Sequence, residues 1–308
     1  MKGVNALADI LVIGSLNMDM TLYVDRFPQI GETLPCTGML TAPGGKGSNQ
    51  ALAASRLGGI VKMAGCVGCD AYGNELIDSL QANGVDTSLI KRMPDVSTGV
   101  AAITVSNGAN MILVSAGANA AITPEYIDLL DDEIAVARAV VLQLEIPMPA
   151  VLQAARLARK HGCLVLLNPA PYQPMPEELL RLVDYLIPNE TEAMAMLGVD
   201  QLDASNAEAS LRAMQSFGVA HPMITMGDKG VAYLNGNAYH LDPCNKVQAV
   251  DPTAAGDTFI GGFISALLGG FSIGEAVAFA QKASAFCVAH KGAQTSIPTV
   301  AQLAQQQA

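Results

Sequence analysis

The sequence predicts an α/β fold, with a central, mostly parallel sheet flanked by helices and a small β lid. Three observations carry this expectation. Strand-like and helix-like segments alternate along most of the chain, as when parallel strands are joined by crossover helices. The 308 residues are 51% hydrophobic and 15% charged, enough to bury a large core. The alternation breaks only at 16–43 and 97–118, which read as β structure projecting from the main sheet.

Taken in order, Ile10-Leu11-Val12-Ile13 opens a short apolar run over 10–14 that reads as the first buried strand. Further strands are expected over 60–65, 139–144, 163–167, 184–187, 221–226 and 231–234. Helices are expected over 46–58, 74–83, 124–136, 149–161, 190–197, 205–218, 256–269 and 273–290. Within 97–118, Gly99 to Val105, the turn Asn107-Gly108 and Met111 to Val114 form a predicted β-hairpin. No low-complexity linker and no fixed-period repeat divides the chain, so a single domain spanning 1–308 with a discontinuous lid is expected.

Composition excludes several function classes. A net charge of −11 opposes binding to a phosphate backbone, so nucleic acid is not an expected partner. ATP stays open, because backbone amides, one placed Lys and Mg²⁺ supply local positive potential whatever the net charge. Runs such as Ala139 to Leu142 fall far short of the roughly 20 apolar residues that span a bilayer. Met1 to Ala8 carries no secretory pattern, so a cytoplasmic protein is expected. Of the six Cys (36, 66, 69, 163, 244 and 287) most read as buried thiols, and Cys66-Val67-Gly68-Cys69, a redox-pair or half-zinc spacing, lacks the second CxxC or nearby His that would complete a zinc site.

The most informative stretch is Val250-Asp251-Pro252-Thr253-Ala254-Ala255-Gly256-Asp257, followed by the apolar run Ile260 to Leu268. Ala254, Ala255 and Gly256 open a helix with small residues whose amides can approach an anion closely, where the helix end adds partial positive charge. Asp257 then faces the same anion, suited to deprotonating an attacking hydroxyl. Read alone, Asp257 is equally a helix cap.

Near the other end, Gly14-Ser15-Leu16-Asn17-Met18-Asp19 follows the first strand, and Gly44-Gly45-Lys46-Gly47-Ser48-Asn49-Gln50 leads into a helix. Asn17, Asp19 and Asn49 are suited to sugar hydroxyls, which need donors and acceptors together; as a bland alternative, Asn17 and Asp19 are turn residues at a strand end. The Gly-Gly-Lys-Gly run is no Walker A loop, since Ser48 lies two residues beyond Lys46 and the GxxxxGK[ST] spacing is absent.

Together, Asn17-x-Asp19, Gly44-Gly45-Lys46-Gly47-x-Asn49 and Asp251-x-x-Ala-Ala-Gly-Asp257 resemble the two signatures of the ribokinase-like carbohydrate kinases. Intermediate matches extend the resemblance over nearly the whole chain: Leu142-Gln143-Leu144-Glu145, Asn168-Pro169-Ala170-Pro171, Pro188-Asn189-Glu190-Thr191-Glu192, Thr225 to Gly230 and Lys291 to Gln294. The resemblance implies a lid over the sugar that commonly forms a dimer interface. It implies sugar contacts from Asn17, Asp19, Gly44, Gly45, Lys46, Asn49 and Glu145, with Asp257 as base and Ala254, Ala255 and Gly256 as the anion hole. Asn189 and Glu192 would organise Mg²⁺ and the phosphates through water, and Thr225, Gly227 and Gly230 would border ATP. Asp251, Thr253, Cys287, Gly292 and Ser296 match the site of an activating monovalent cation, usually K⁺, with Cys287 giving only its carbonyl. Cys69 and Pro252 depart from the usual pattern without touching this chemistry.

The expected reaction transfers the γ-phosphoryl of ATP to O5 of D-ribose. Deoxyribose, another sugar or a nucleoside are the alternatives; sugars already phosphorylated would want more lid cations than Arg26. From other classes, a dinucleotide oxidoreductase lacks its GxGxxG loop. A non-catalytic sensor of the same fold would not need Asp257 or the Asn189-x-x-Glu192 element.

Overall fold

The computed structural model describes residues 9–244 and 246–305; the N-terminal stretch 1–8 lies outside the described residues. The elements follow in order: β1 Ile10–Ile13, β2 Asn17–Tyr23, β3 Gly38–Gly44, α1 Lys46–Arg56, β4 Val61–Gly68, α2 Ala71–Ala82 and β5 Asp86–Met93. Next come β6 Gly99–Ser106, β7 Ala109–Ser115, α3 Pro124–Asp128, α4 Asp131–Val136, β8 Ala139–Leu142, α5 Met148–Lys160, β9 Leu164–Leu167, α6 Glu177–Leu182 and β10 Tyr185–Leu186. The chain continues through α7 Glu190–Leu197, α8 Ala207–Ser216, β11 His221–Thr225, β12 Val231–Asn235, β13 Ala238–Asp242, α9 Ala255–Leu268, α10 Ile273–Val288 and α11 Val300–Gln305.

Nine strands form the main sheet in the order β13-β12-β11-β10-β9-β8-β1-β4-β5. All pairings from β11 to β5 are parallel, and β12 and β13 add antiparallel at one edge. The inner strands β1 and β8 are wholly apolar and wholly buried, because helices cover both faces of the sheet. Successive crossovers run in opposite directions from the β1–β8 pair. The carboxyl ends of these two strands therefore open a crevice where an α/β sheet holds its ligand.

A second sheet, β3-β2-β6-β7, is built from the two stretches that break the alternation. Its β6–β7 hairpin turns at Asn107 and Gly108, both at positive φ (50° and 80°), as the sequence predicts for Asn-Gly.

Several boundaries differ from expectation. The expected helix 124–136 is two short helices broken at Leu129 and Leu130, α2 begins at Ala71, and β4 runs on to Gly68. Strands β5 and β13 and helices α6 and α11 were outside the prediction; β5 is an edge strand whose Lys91 and Arg92 obscure its pattern.

One packing contact fixes the site. Helices α1 and α9 approach so closely that a Cβ at Gly261 would lie 2.5 Å from the Ala54 nitrogen. Ser265 Oγ donates to the Ala54 carbonyl at 2.9 Å. These helices carry Asn49 and Asp257, so small residues at their crossing set the distance between the two.

Candidate active site

Asp257 sits in the first turn of α9, 7% exposed, with both carboxylate oxygens held by amides from α1. Asn49 Nδ2 donates to Oδ2 at 3.0 Å and Gln50 Nε2 donates to Oδ1 at 2.9 Å. Ala254, which caps the helix, takes a left-handed conformation (φ 60°, ψ 7°). A non-glycine residue there is uncommon and costs about 1–3 kcal/mol, a strain typical of ligand-holding turns. The turn places the amides of 254–256 at the amino end of a 14-residue helix, where the partial positive charge of the macrodipole adds to theirs.

Glu145, just beyond β8, gathers the N-terminal motif. Its Oε2 accepts from Ser15 Oγ at 2.5 Å, from the Lys46 amide at 3.0 Å and from Asn17 Nδ2 at 3.4 Å. Asn17 is 2% exposed, and its Oδ1 accepts from Asn119 Nδ2 at 2.8 Å, so much of its amide holds the loop together. Gly45 caps α1 at φ 90°, and any Cβ there would come within 2.7 Å of the Asn17 nitrogen.

Charges converge on the crevice from five segments: β2, α1, the loop after β8, α7 and α9. Burial raises the Asp19 pKa from 3.8 to about 7, with Glu145 and Asp257 adding to the rise and Lys46 opposing it. Burial pulls the Lys46 pKa down, but Asp257, Glu145, Glu192 and Asp19 outweigh it and leave the ammonium more firmly protonated than usual. Burial also raises Glu192, against its hydrogen bond from the Asn189 amide and the pull of Lys46. Asn189 and Glu192 form a reciprocal capping box at the start of α7, with Asn189 N to Glu192 Oε2 at 2.9 Å and Glu192 N to Asn189 Oδ1 at 2.8 Å.

Two adjoining cavities share Asn189, Thr225 and Gly256. The smaller, about 190 Å³, is lined by Lys46, Asn168, Glu192, Ala254 and Asp257. The larger, about 380 Å³, is lined by Gly227, Gly230, Val231, Ala255, Phe259 and Gln281. A polar chamber with an ammonium, a carboxylate and the amino end of α9, where the Ala255 amide donates to the Pro252 carbonyl at 3.2 Å, thus opens into a more apolar one, as a phosphate group and a flat heterocycle joined to it require. A larger opening of about 640 Å³ lies along β5, remote from these residues.

The five residues expected at a monovalent-cation site also meet. Asp251 Oδ1 accepts from the Thr253 amide at 3.0 Å and Oδ2 from the Gly292 amide at 2.9 Å. Burial alone would raise the Asp251 pKa, but these bonds and Lys291 hold it below its ordinary value. Carbonyls and an ionised carboxylate are hard oxygen donors that suit an alkali cation better than a transition metal. Cys287 is more than a carbonyl here. Its Sγ contacts Ser296 Oγ at 3.0 Å and donates to the Thr253 carbonyl at 3.5 Å, so its thiol helps shape the loop.

Sequence reasoning missed Gln50, Gln143, Asn168, Asn119, Ser15 and Gln294, which hold the motif residues in place. Gln50 directly follows Asn49 in the motif and faces the same carboxylate; Ser15, Gln143, Asn168 and Gln294 lie in stretches quoted above but were given no role, and Asn119 lies outside all of them.

Residues 7–300 match the family described as pfkB family carbohydrate kinase. The ribokinase of Haemophilus influenzae is 40% identical over 289 residues, covering 94% of each chain. The deoxyribokinase of Salmonella typhi is 36% identical over 296 residues, covering 96% of this chain and 97% of its own. The structure of Arabidopsis thaliana ribokinase complexed with ribose and ATP superimposes with a TM-score of 0.91 at 31% identity, covering 97% of this chain and 98% of that one.

Proposed function

The chain belongs to the pfkB family of carbohydrate kinases, and from that premise we propose that it is a ribokinase, transferring the γ-phosphoryl of ATP to O5 of D-ribose. The observation that carries the reading is Asp257: a buried carboxylate held at both oxygens, beside helix amides and Lys46, on the wall of a small polar cavity. Ribose is favoured over deoxyribose because the ribokinase relative is the more similar of the two.

In this reading ribose lies between Asp19, Asn49 and Glu145, its ring against the backbone of Gly44 and Gly45. Asp257 removes the O5 proton as O5 forms its bond to the γ-phosphorus and the bond to the β-phosphate oxygen breaks, releasing ADP. The amides of Ala254, Ala255 and Gly256 and the Lys46 ammonium meet the negative charge on the transferring group. Mg²⁺ supplies further neutralisation on the phosphates. Glu192, facing the cavity, suits a water-mediated contact to it, with Asn189 placing that carboxylate. Thr225, Gly227 and Gly230 border the nucleotide.

K⁺ is proposed at Asp251, Thr253, Cys287, Gly292 and Ser296, where it would stiffen the turn that presents the amides. The second sheet is proposed as a lid, and β7 as a homodimer interface, because Met111, Ile112, Leu113 and Val114 are 50–69% exposed in an unbroken row. Among the described residues no helix is long and apolar enough to cross a membrane.

The test is ATP consumption with Mg²⁺ and a panel of ribose, deoxyribose, fructose and nucleosides, each with and without K⁺. Ribose-dependent, K⁺-stimulated turnover is expected. Binding of a sugar without turnover on any acceptor would favour the sensor instead.

A further inference from the structure

The hold on Asp257 continues beyond Asn49 and Gln50. Gln50 is 1% exposed, and its Nε2 donates both to Asp257 Oδ1 at 2.9 Å and to Asn168 Oδ1 at 3.1 Å. Asn168 in turn donates through Nδ2 to the Ile187 carbonyl at 2.8 Å. Behind Gln50, the fully buried Gln143 donates its Nε2 to Gln50 Oε1 at 2.7 Å. We propose that Gln50 is a positioning residue for phosphoryl transfer, the centre of an amide chain from Ile187 to Gln143 that fixes the Asp257 carboxylate.

The chain has only one allowed direction. The Ile187 carbonyl can only accept, so Asn168 must turn its nitrogen there and its oxygen toward Gln50. Gln50 then faces two acceptors, Asn168 Oδ1 and the Asp257 carboxylate, and must present its nitrogen to both. Its oxygen is left for Gln143, which has to donate. Gln143 Oε1 consequently ends the chain with no partner, the one buried amide oxygen so placed among the described residues. Turning Gln143 over would set its oxygen against Gln50 Oε1 and break the chain. An unpartnered buried atom at the far end is what a chain ordered from the other end leaves behind.

Asn49 is anchored in the same manner, its Oδ1 accepting from Gln294 Nε2 at 3.2 Å. Gln50 supplies the longer arm, reaching from α1 across to the loops after β8 and β9. It touches neither sugar nor phosphate in this account and acts through Asp257 alone.

This inference rests on Asp257 being the base, and the experiment separates the two ideas. Steady-state kcat and KM for ribose and ATP are measured for wild type, Gln50→Met, Gln143→Met, Asp257→Asn and the double variant Gln50→Met/Asp257→Asn. Gln50→Met is expected to lower kcat at least about tenfold with both KM values within about twofold. In the Asp257→Asn background the same change is expected to cost less than about twofold, because its effect passes through the missing carboxylate. Gln143→Met is expected to lower kcat several-fold, again with KM unmoved, and it carries the test if Gln50→Met does not unfold cooperatively. A kcat for these variants within about twofold of wild type, KM rising in step, or an equal loss in both backgrounds overturns the proposal. Wild-type protein with no turnover on any sugar overturns the kinase reading and this inference with it.

Discussion

Replacing Asp19 by Asn should stabilise the protein while damaging its sugar site, and the gain should depend on pH. Asp19 is half-buried near Glu145 and Asp257, and its pKa rises from 3.8 to about 7 through burial first and those carboxylates second. The folded protein therefore binds this proton more tightly than the unfolded chain. The stabilising contribution is fully present below about pH 4 and is lost as pH rises through about 7. A gap of about 3 pH units corresponds to at most about 4 kcal/mol; residual solvent contact lowers the expected figure to about 1–3 kcal/mol. Asn has no such proton to lose. Because part of the effect is already lost by pH 5, urea unfolding of both proteins at about pH 5 and about pH 8 should show Asp19→Asn gaining on wild type at the higher pH by about 1–2 kcal/mol. An equal difference at both pH values, or a smaller one at pH 8, would refute the reasoning. Ribose KM should rise in the variant whatever the pH, the trade of function for stability expected where like charges are held together.

Other consequences are local. A Cβ at Gly44 would collide with the Asp19 carboxylate, so Gly44→Ala should raise ribose KM about tenfold or more with ATP KM little changed, read from initial rates. Asp251→Asn removes the ionised group at the proposed K⁺ site, and the stimulation of turnover by K⁺ should fall several-fold in a titration against KCl. Leu113→Asp places a charge in the exposed row of β7, and sedimentation should show monomer where wild type sediments as a dimer.

Much of this architecture was legible because its signals are local. The inner strands are short unbroken apolar runs, and Asn107-Gly108 encodes its own turn. The split between α3 and α4 was not legible, since Leu129 and Leu130 carry no breaker; one is 78% exposed and the other 4%. Strand β5 failed because an edge strand has no need of a continuous apolar face. At the site, the two motifs that carry the family resemblance lie together in one crevice, but the amides behind them did not announce themselves. Gln50 meets Asp257 across 207 positions and Asn168 across 118, and no periodicity reports a contact made only by the sheet's topology. The thiol of Cys287 is similar: its identity looked irrelevant to a carbonyl ligand, and only the fold brings it onto Ser296 and Thr253.

The central claim is that Asp257 serves as the base for phosphoryl transfer to ribose, and its most direct test is the steady-state turnover of Asp257→Asn with ribose, ATP and Mg²⁺. The account predicts a kcat about 10²- to 10⁴-fold below wild type with ribose and ATP KM values nearly unchanged. A variant turning over near the wild-type rate would contradict it.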